Sequence, residues 1–150
     1  MKACEDLNRA RQSPDTSNSF HALADALRWV VLLDSWFEKQ LSGNYKNTAQ
    51  PAAVAATIPG LRYARNLVEH DDDVTEVVVV EQGAKYPLRY PVVLHELKWK
   101  PFVDLPCPSK RYENPSGAKA YQTYVENKLA RETLFSVQSL FQSLAALVVG

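Results

Sequence analysis

Cysteine is scarce in this chain. Its 150 residues hold only Cys4 and Cys107, and three scattered histidines form no zinc-ligand pattern with them. No metal and no other cofactor is expected, and a reduced, cytoplasmic setting is. Net charge is missing as well: 17 basic residues balance 17 acidic ones, so bulk charge advertises neither a nucleic acid nor a membrane, and any such partner must be met by a local patch. No apolar run approaches the roughly 18 residues of a membrane span, and the polar N-terminus lacks a signal-peptide core. What is present is 46% hydrophobic residues, enough for one domain with a single core over residues 1–150.

Residues 1–19 are polar, end in a Ser, Asn, Asp, Thr and Pro cluster, and read as a flexible arm. From Phe20 the pattern changes. Phe20, Leu23, Leu27, Val30, Phe37 and Leu41 recur at helical spacing behind Asn18 or Ser19 as N-cap, with a stop near Ser42-Gly43-Asn44. Trp29, Leu33 and Trp36 add a second apolar strip, which predicts burial inside a bundle or at a subunit contact. Asp34 interrupts the seam. A carboxylate there either exits to water, the commoner outcome, or pairs with an arginine of a neighbouring helix.

Pro51 can open a short alanine-rich helix, and Pro59 restarts it toward Arg62, Arg65, Asn66, Glu69 and His70. The β-branched run TEVVVVEQ (75–82) and VVLHELKW (92–99) predict a β-hairpin insertion over 74–100. Residues 100–116, with four prolines, read as connection. A seven-residue apolar repeat through Ala130, Leu134, Val137, Phe141, Leu144 and Val148 predicts one long helix from about Ser116, capped by Ser116, kinked near its start or used in dimerisation. The fold class is therefore mainly α, a helical bundle with an inserted β-hairpin.

On a helix, residues four apart share a face, so Arg62, Asn66 and His70 form one stripe and Arg65 with Glu69 the next. Two guanidiniums, an amide and an imidazole suit a phosphate, because arginine grips its oxygens bidentately and histidine carries a proton near neutral pH. A plain structural role stays open for each. Arg65 can pair with Glu69, and His70 can satisfy a helix end. Asp71-Asp72-Asp73 reads as a solvated turn rather than a cation site, and Trp99, Tyr121 and Tyr124 as core or interface aromatics rather than a base-stacking platform.

The segment Arg65-Asn66-Leu67-Val68-Glu69-His70, on the second main helix behind a long amphipathic one, resembles the HEPN superfamily of all-helical RNases and toxins. Arg89 and His95 fit the loose spacing too, but they straddle Pro91 and a predicted strand. The resemblance covers the helical parts, residues 18–72 and 117–148, and implies a HEPN-like bundle forming a homodimer in which two motifs face one cleft. It further implies a metal-independent endoribonuclease of a toxin-antitoxin or defence system, working by attack of the ribose 2′-hydroxyl on the adjacent phosphate. Arg65 and His70 would be catalytic, with Asn66 holding register, Arg62 as a substrate-binding cation, and Asp34 and Glu69 as support. RNA, a second copy and an antitoxin or other protein are the implied partners. The alternative within the same fold is an inactive module that binds nucleotide, RNA or a protein.

Overall fold

A computed structural model describes residues 2–41, 45–47, 49–69, 73–82, 92–106 and 114–149. The chain is mainly helical with one small two-stranded antiparallel sheet. In chain order the elements are α1 (Lys2–Ala10), α2 (Ser17–Gln40), α3 (Ala52–Ala55), α4 (Ile58–Val68), β1 (Thr75–Gln82), β2 (Val92–Trp99), α5 (Pro115–Tyr124) and α6 (Ala130–Val149), with short 3-10 turns at Tyr45–Asn47 and Phe102–Asp104. Among the described residues no helix is long and apolar enough to cross a membrane.

The 24-residue α2 is the axis of the molecule. It packs against α1, α4 and α6, and buries Leu23, Ala26, Leu27, Val30 and Phe37. It starts earlier than its apolar period suggests. Thr16 is the N-cap, without a side-chain cap bond, so neither Asn18 nor Ser19 plays that part. The Asx-type turn before it supplies the stop instead, Ser17 N–H donating to Asp15 Oδ1 at 3.0 Å.

The flexible-arm expectation is corrected for residues 2–10. They form α1, which buries Ala3, Cys4 and Leu7 against α2. Its anchors are long-range, which is why local composition conceals them. Arg11 Nη1 donates to the buried Glu96 on β2 at 2.7 Å, Arg131 on α6 reaches the same carboxylate oxygen at 3.3 Å, and His95 N–H donates to Arg11 O at 2.8 Å. One buried acid thus ties α1, the sheet and α6 together.

The strands fall where the β-branched runs place them, in register from Thr75 opposite Trp99 to Gln82 opposite Val92. Their connection, 83–91, lies outside the described residues. The hairpin is no mere appendage, because its base enters the core. Trp99 is fully buried and its Nε1 donates to Thr133 Oγ1 at 3.3 Å, while Val74 and Leu97 are buried in the same core.

The single long C-terminal helix is also corrected. Two helices, α5 and α6, meet at a break where Asn127 takes a left-handed conformation, φ 63°. Both sides of that break are pinned to the sheet: Asn127 N–H donates to Trp99 O and Trp99 N–H to Lys128 O. Asn114, not Ser116, caps α5, its Oδ1 accepting from Gly117 N–H at 3.0 Å.

Gly60 sets how closely α4 and α5 approach. A Cβ there would lie 2.8 Å from the Tyr121 backbone nitrogen and 2.8 Å from Val125 Cγ2. Gly60→Ala should therefore destabilise by about 1–3 kcal/mol through overpacking, although alanine is the better helix former. Urea unfolding measures it, and a neutral or stabilising result would show that the two helices separate freely.

Candidate functional site

The geometry around the polar face of α4 is set first by a buried carboxylate. Asp34, in the C-terminal third of α2, is fully buried and does not exit to water. Its Oδ1 accepts from Tyr45 Oη at 2.8 Å and from Lys46 Nζ at 2.7 Å. Arg62 Nε lies 3.0 Å from Oδ2, an ion pair in which the N–H does not point along the line to the oxygen. Lys46 also donates to Glu38 Oε1 at 2.6 Å. Two cations and two carboxylates thus balance around one buried centre, the condition under which a buried charge is tolerated.

The protonation states follow from this packing. Burial pushes the Tyr45 hydroxyl well above the ordinary phenol range, and the Asp34 carboxylate beside it adds to the shift, so Tyr45 stays a donor. The hydrogen bond from Lys46 holds Glu38 below the usual carboxylate range. Arg62 completes its role inside the protein by donating to Ser35 Oγ at 2.7 Å. It is a strut between α2 and α4, turned to the Asp34 side.

Arg65, one turn along α4, points elsewhere. With Phe20, His21, Ala24 and Arg28 of α2 and Val68 and Glu69 beside it, it lines a recess of about 270 Å³ between the two helices. The stripe of Arg62 with Asn66 and the pair of Arg65 with Glu69 are therefore divided: Arg62 is drawn to Asp34, and Arg65 faces the recess. Arg65 forms the i,i+4 ion pair with Glu69, and its Nη1 lies 3.4 Å from Asn66 Oδ1. Its buried Nε has no hydrogen-bond partner among the described residues. His70, Asp71 and Asp72 lie outside the described residues. Asp73 is paired, its carboxylate 3.0 Å from Lys100 Nζ.

His21 and Arg28 are not among the residues that the sequence marks as candidates, although they share a face of α2 at the spacing of two helical turns. His21 Nδ1 sits 2.8 Å from Ser17 O. A carbonyl oxygen only accepts, so Nδ1 carries the hydrogen, and in the neutral ring Nε2 is left as the acceptor. Arg28 is exposed and pairs with Asp25 at 3.3 Å.

The recess thus gathers two guanidiniums and an imidazole, and each guanidinium is neutralised by an acid of its own helix. Those two pairs are partly or fully exposed, and such pairs hold only about 0–1 kcal/mol. An incoming phosphate can displace them in exchange for bidentate, charge-assisted hydrogen bonds. Trp99 and Tyr121 have no part in it, being fully buried in the core, where Tyr121 Oη donates to Lys100 O at 2.8 Å; Tyr124 is half-buried on α5 and is not among the residues lining the recess.

Compared with family models, with characterised proteins and with solved structures, the chain matches none.

Proposed function

We propose that this chain is an RNA-directed domain of the HEPN kind whose working surface is the recess between α2 and α4, where Arg65 receives a backbone phosphate. The observation that carries this reading is the convergence of Arg65, Arg28 and His21 from facing helices on one recess of about 270 Å³. The volume suits a phosphate with part of its sugar rather than a whole folded RNA. A reduced, cytoplasmic setting fits both the substrate and the free, buried Cys4, whose thiol burial pushes above its ordinary range.

In the catalytic form of this reading the domain is a metal-independent endoribonuclease. A base takes the proton from a ribose 2′-hydroxyl, its oxygen attacks the adjacent phosphorus, and the 5′-oxygen leaves with a proton from an acid. The products are a 2′,3′-cyclic phosphate and a 5′-hydroxyl. Arg65 stabilises the charge that gathers on the non-bridging oxygens. His70, as the resemblance assigns, and His21 are the imidazoles for the two proton transfers. Because α2 supplies His21 within the same chain, Arg65 does not depend on a second copy for a neighbouring imidazole. Asp34 acts through Arg62 by fixing how α4 is rotated against α2.

A second reading is favoured by one specific contact. The ion pair between Arg65 and Glu69 closes the guanidinium in the resting protein, which suits a module that holds an RNA phosphate without cutting it. Incubating the protein with mixed RNA in EDTA, beside Arg65→Ala, His70→Ala and His21→Ala, separates the readings. Cleavage to cyclic-phosphate ends by wild type, lost with Arg65→Ala, supports the enzyme. Retention of RNA without turnover supports the binding module. Neither binding nor cleavage overturns both.

A further inference from the structure

We infer that a groove between α2 and α6 binds a small anionic amphiphile, an aliphatic acid of medium chain length whose carboxylate reaches Lys2. The groove holds about 600 Å³, within the size class of small-molecule sites. Its floor is packed in advance, since Phe37 and Phe141 are buried and stack with ring centroids 5.4 Å apart. Trp29 and Trp36 also line it, 50% and 42% exposed, so two large apolar surfaces meet water in the resting chain. A preformed cleft loses little order on binding, and an apolar chain entering this one takes tryptophan surface out of water.

Two polar groups set the chemistry of the occupant. Lys2, the first residue of α1, brings an ammonium to the groove. It forms no ion pair or hydrogen bond among the described residues, and no acid lines the groove. Its methylene stem can lie along an apolar wall while the charged head stays at the water's edge, where it meets an anion. Gln138 of α6 is the second. Its Oε1 is buried and has no hydrogen-bond partner among the described residues, a costly state for an amide. A wholly apolar occupant leaves that amide unmet. Turned over about its last torsion, the same amide donates an N–H to a carboxylate oxygen.

The same charges argue against larger occupants. An anionic membrane is held by clusters of about four or more basic residues, whereas Lys2 is the one cation lining the groove and residues 133–149 of α6 carry none. A second copy of this face would bring a further Lys2 and no acid to pair with it. A single cation, an unmet amide and an aromatic bed are instead the sparse polar points and apolar lining of a small-molecule site. The groove lies on the α6 flank of α2 and the Arg65 recess on the α4 flank, so acid and RNA phosphate do not compete.

Titrating the intact chain with ω-bromoundecanoate, below its micelle-forming concentration, tests this, because bromine quenches a tryptophan that it touches. Trp29 and Trp36 line the groove, whereas Trp99, the remaining tryptophan, is fully buried in the core. The acid should quench the emission saturably but in part, with half-saturation at about 100 μM or below, and unbrominated undecanoate should reverse it. Lys2→Glu, at an exposed position, should weaken the acid by roughly 5-fold and leave ω-bromoundecanol unaffected. No quenching by the acid, or equal affinity for wild type and Lys2→Glu, would overturn the inference. So would emission that shifts with protein concentration and ignores the acid, which would seat a second copy in the groove. Co-sedimentation with anionic phospholipid vesicles, without response to the free acid, would assign the face to a membrane and overturn it equally. None of these readouts involves RNA, so a failure here leaves the Arg65 reading intact, and a failure there leaves the groove intact.

Discussion

Asp34→Ala lowers the stability of the folded chain by about 3–5 kcal/mol, the cost of breaking a buried ion pair from one side. The carboxylate is fully buried, accepts from Tyr45 and Lys46 of one 3-10 turn, and forms an ion pair with Arg62 of α4. Its removal leaves the Tyr45 hydroxyl and the mostly buried Lys46 ammonium with one acceptor fewer, and removes the charge that draws Arg62 inward. A domain of this size has only about 5–15 kcal/mol in total, so the variant should sit close to its unfolding transition at physiological temperature. Asp25→Ala, which removes an exposed acid from Arg28, should change stability by no more than about 0.5 kcal/mol. Urea denaturation of both variants checks the contrast. A cost below about 1 kcal/mol for Asp34→Ala would mean that water already reaches that centre.

The second large effect is functional. Arg65→Ala should weaken RNA binding by roughly 10- to 100-fold, the range of a charge-assisted hydrogen-bonded contact, and should cost cleavage a further factor where cleavage occurs. Its sign can be reversed one turn away. Glu69 competes with phosphate for the Arg65 guanidinium, so Glu69→Gln should bind RNA more tightly, by up to about 5-fold, because the pair it breaks is a partly exposed one. Opposite responses from two residues in contact distinguish a phosphate site from a helix surface on which the pair is only a local brace.

Parts of this arrangement are legible in the sequence and parts are not, for physical reasons. The strands are read to the residue because β-branched runs bounded by proline and glycine announce themselves locally. Pro51 and Pro59 mark the starts of α3 and α4 in the same way. Asp34 is different. Its burial is decided by Tyr45 and Lys46 in a polar connection and by Arg62 a helix away, and no local pattern encodes that meeting. The N-terminal helix is hidden likewise, since Arg11 and Glu96 find each other across most of the chain. The break at Asn127 falls just ahead of the apolar repeat that starts at Ala130, in a stretch without a proline to mark it, and it is the backbone pairing of Asn127 and Lys128 with Trp99 that fixes it.

The candidate site shows the same division. Periodicity places Arg62, Arg65, Asn66 and Glu69 on the polar face of α4, yet it cannot tell that Arg62 turns toward Asp34 while Arg65 turns toward α2. It also gives no reason to look across to His21 and Arg28, because two helices must dock before their polar flanks become one recess. The apolar strip of Trp29, Leu33 and Trp36 is plain in the sequence. Which neighbour covers it is not: among the described residues Trp29 and Trp36 stay exposed.

The most direct measurement is the affinity of a fluorescein-labelled single-stranded RNA for wild type, Arg65→Ala and Glu69→Gln at one fixed salt concentration. Glu69→Gln binding tighter than wild type, and Arg65→Ala binding at least about 10-fold more weakly, is the order predicted for a phosphate held by Arg65 in the recess. Three equal affinities, or no binding by any of them, would contradict it.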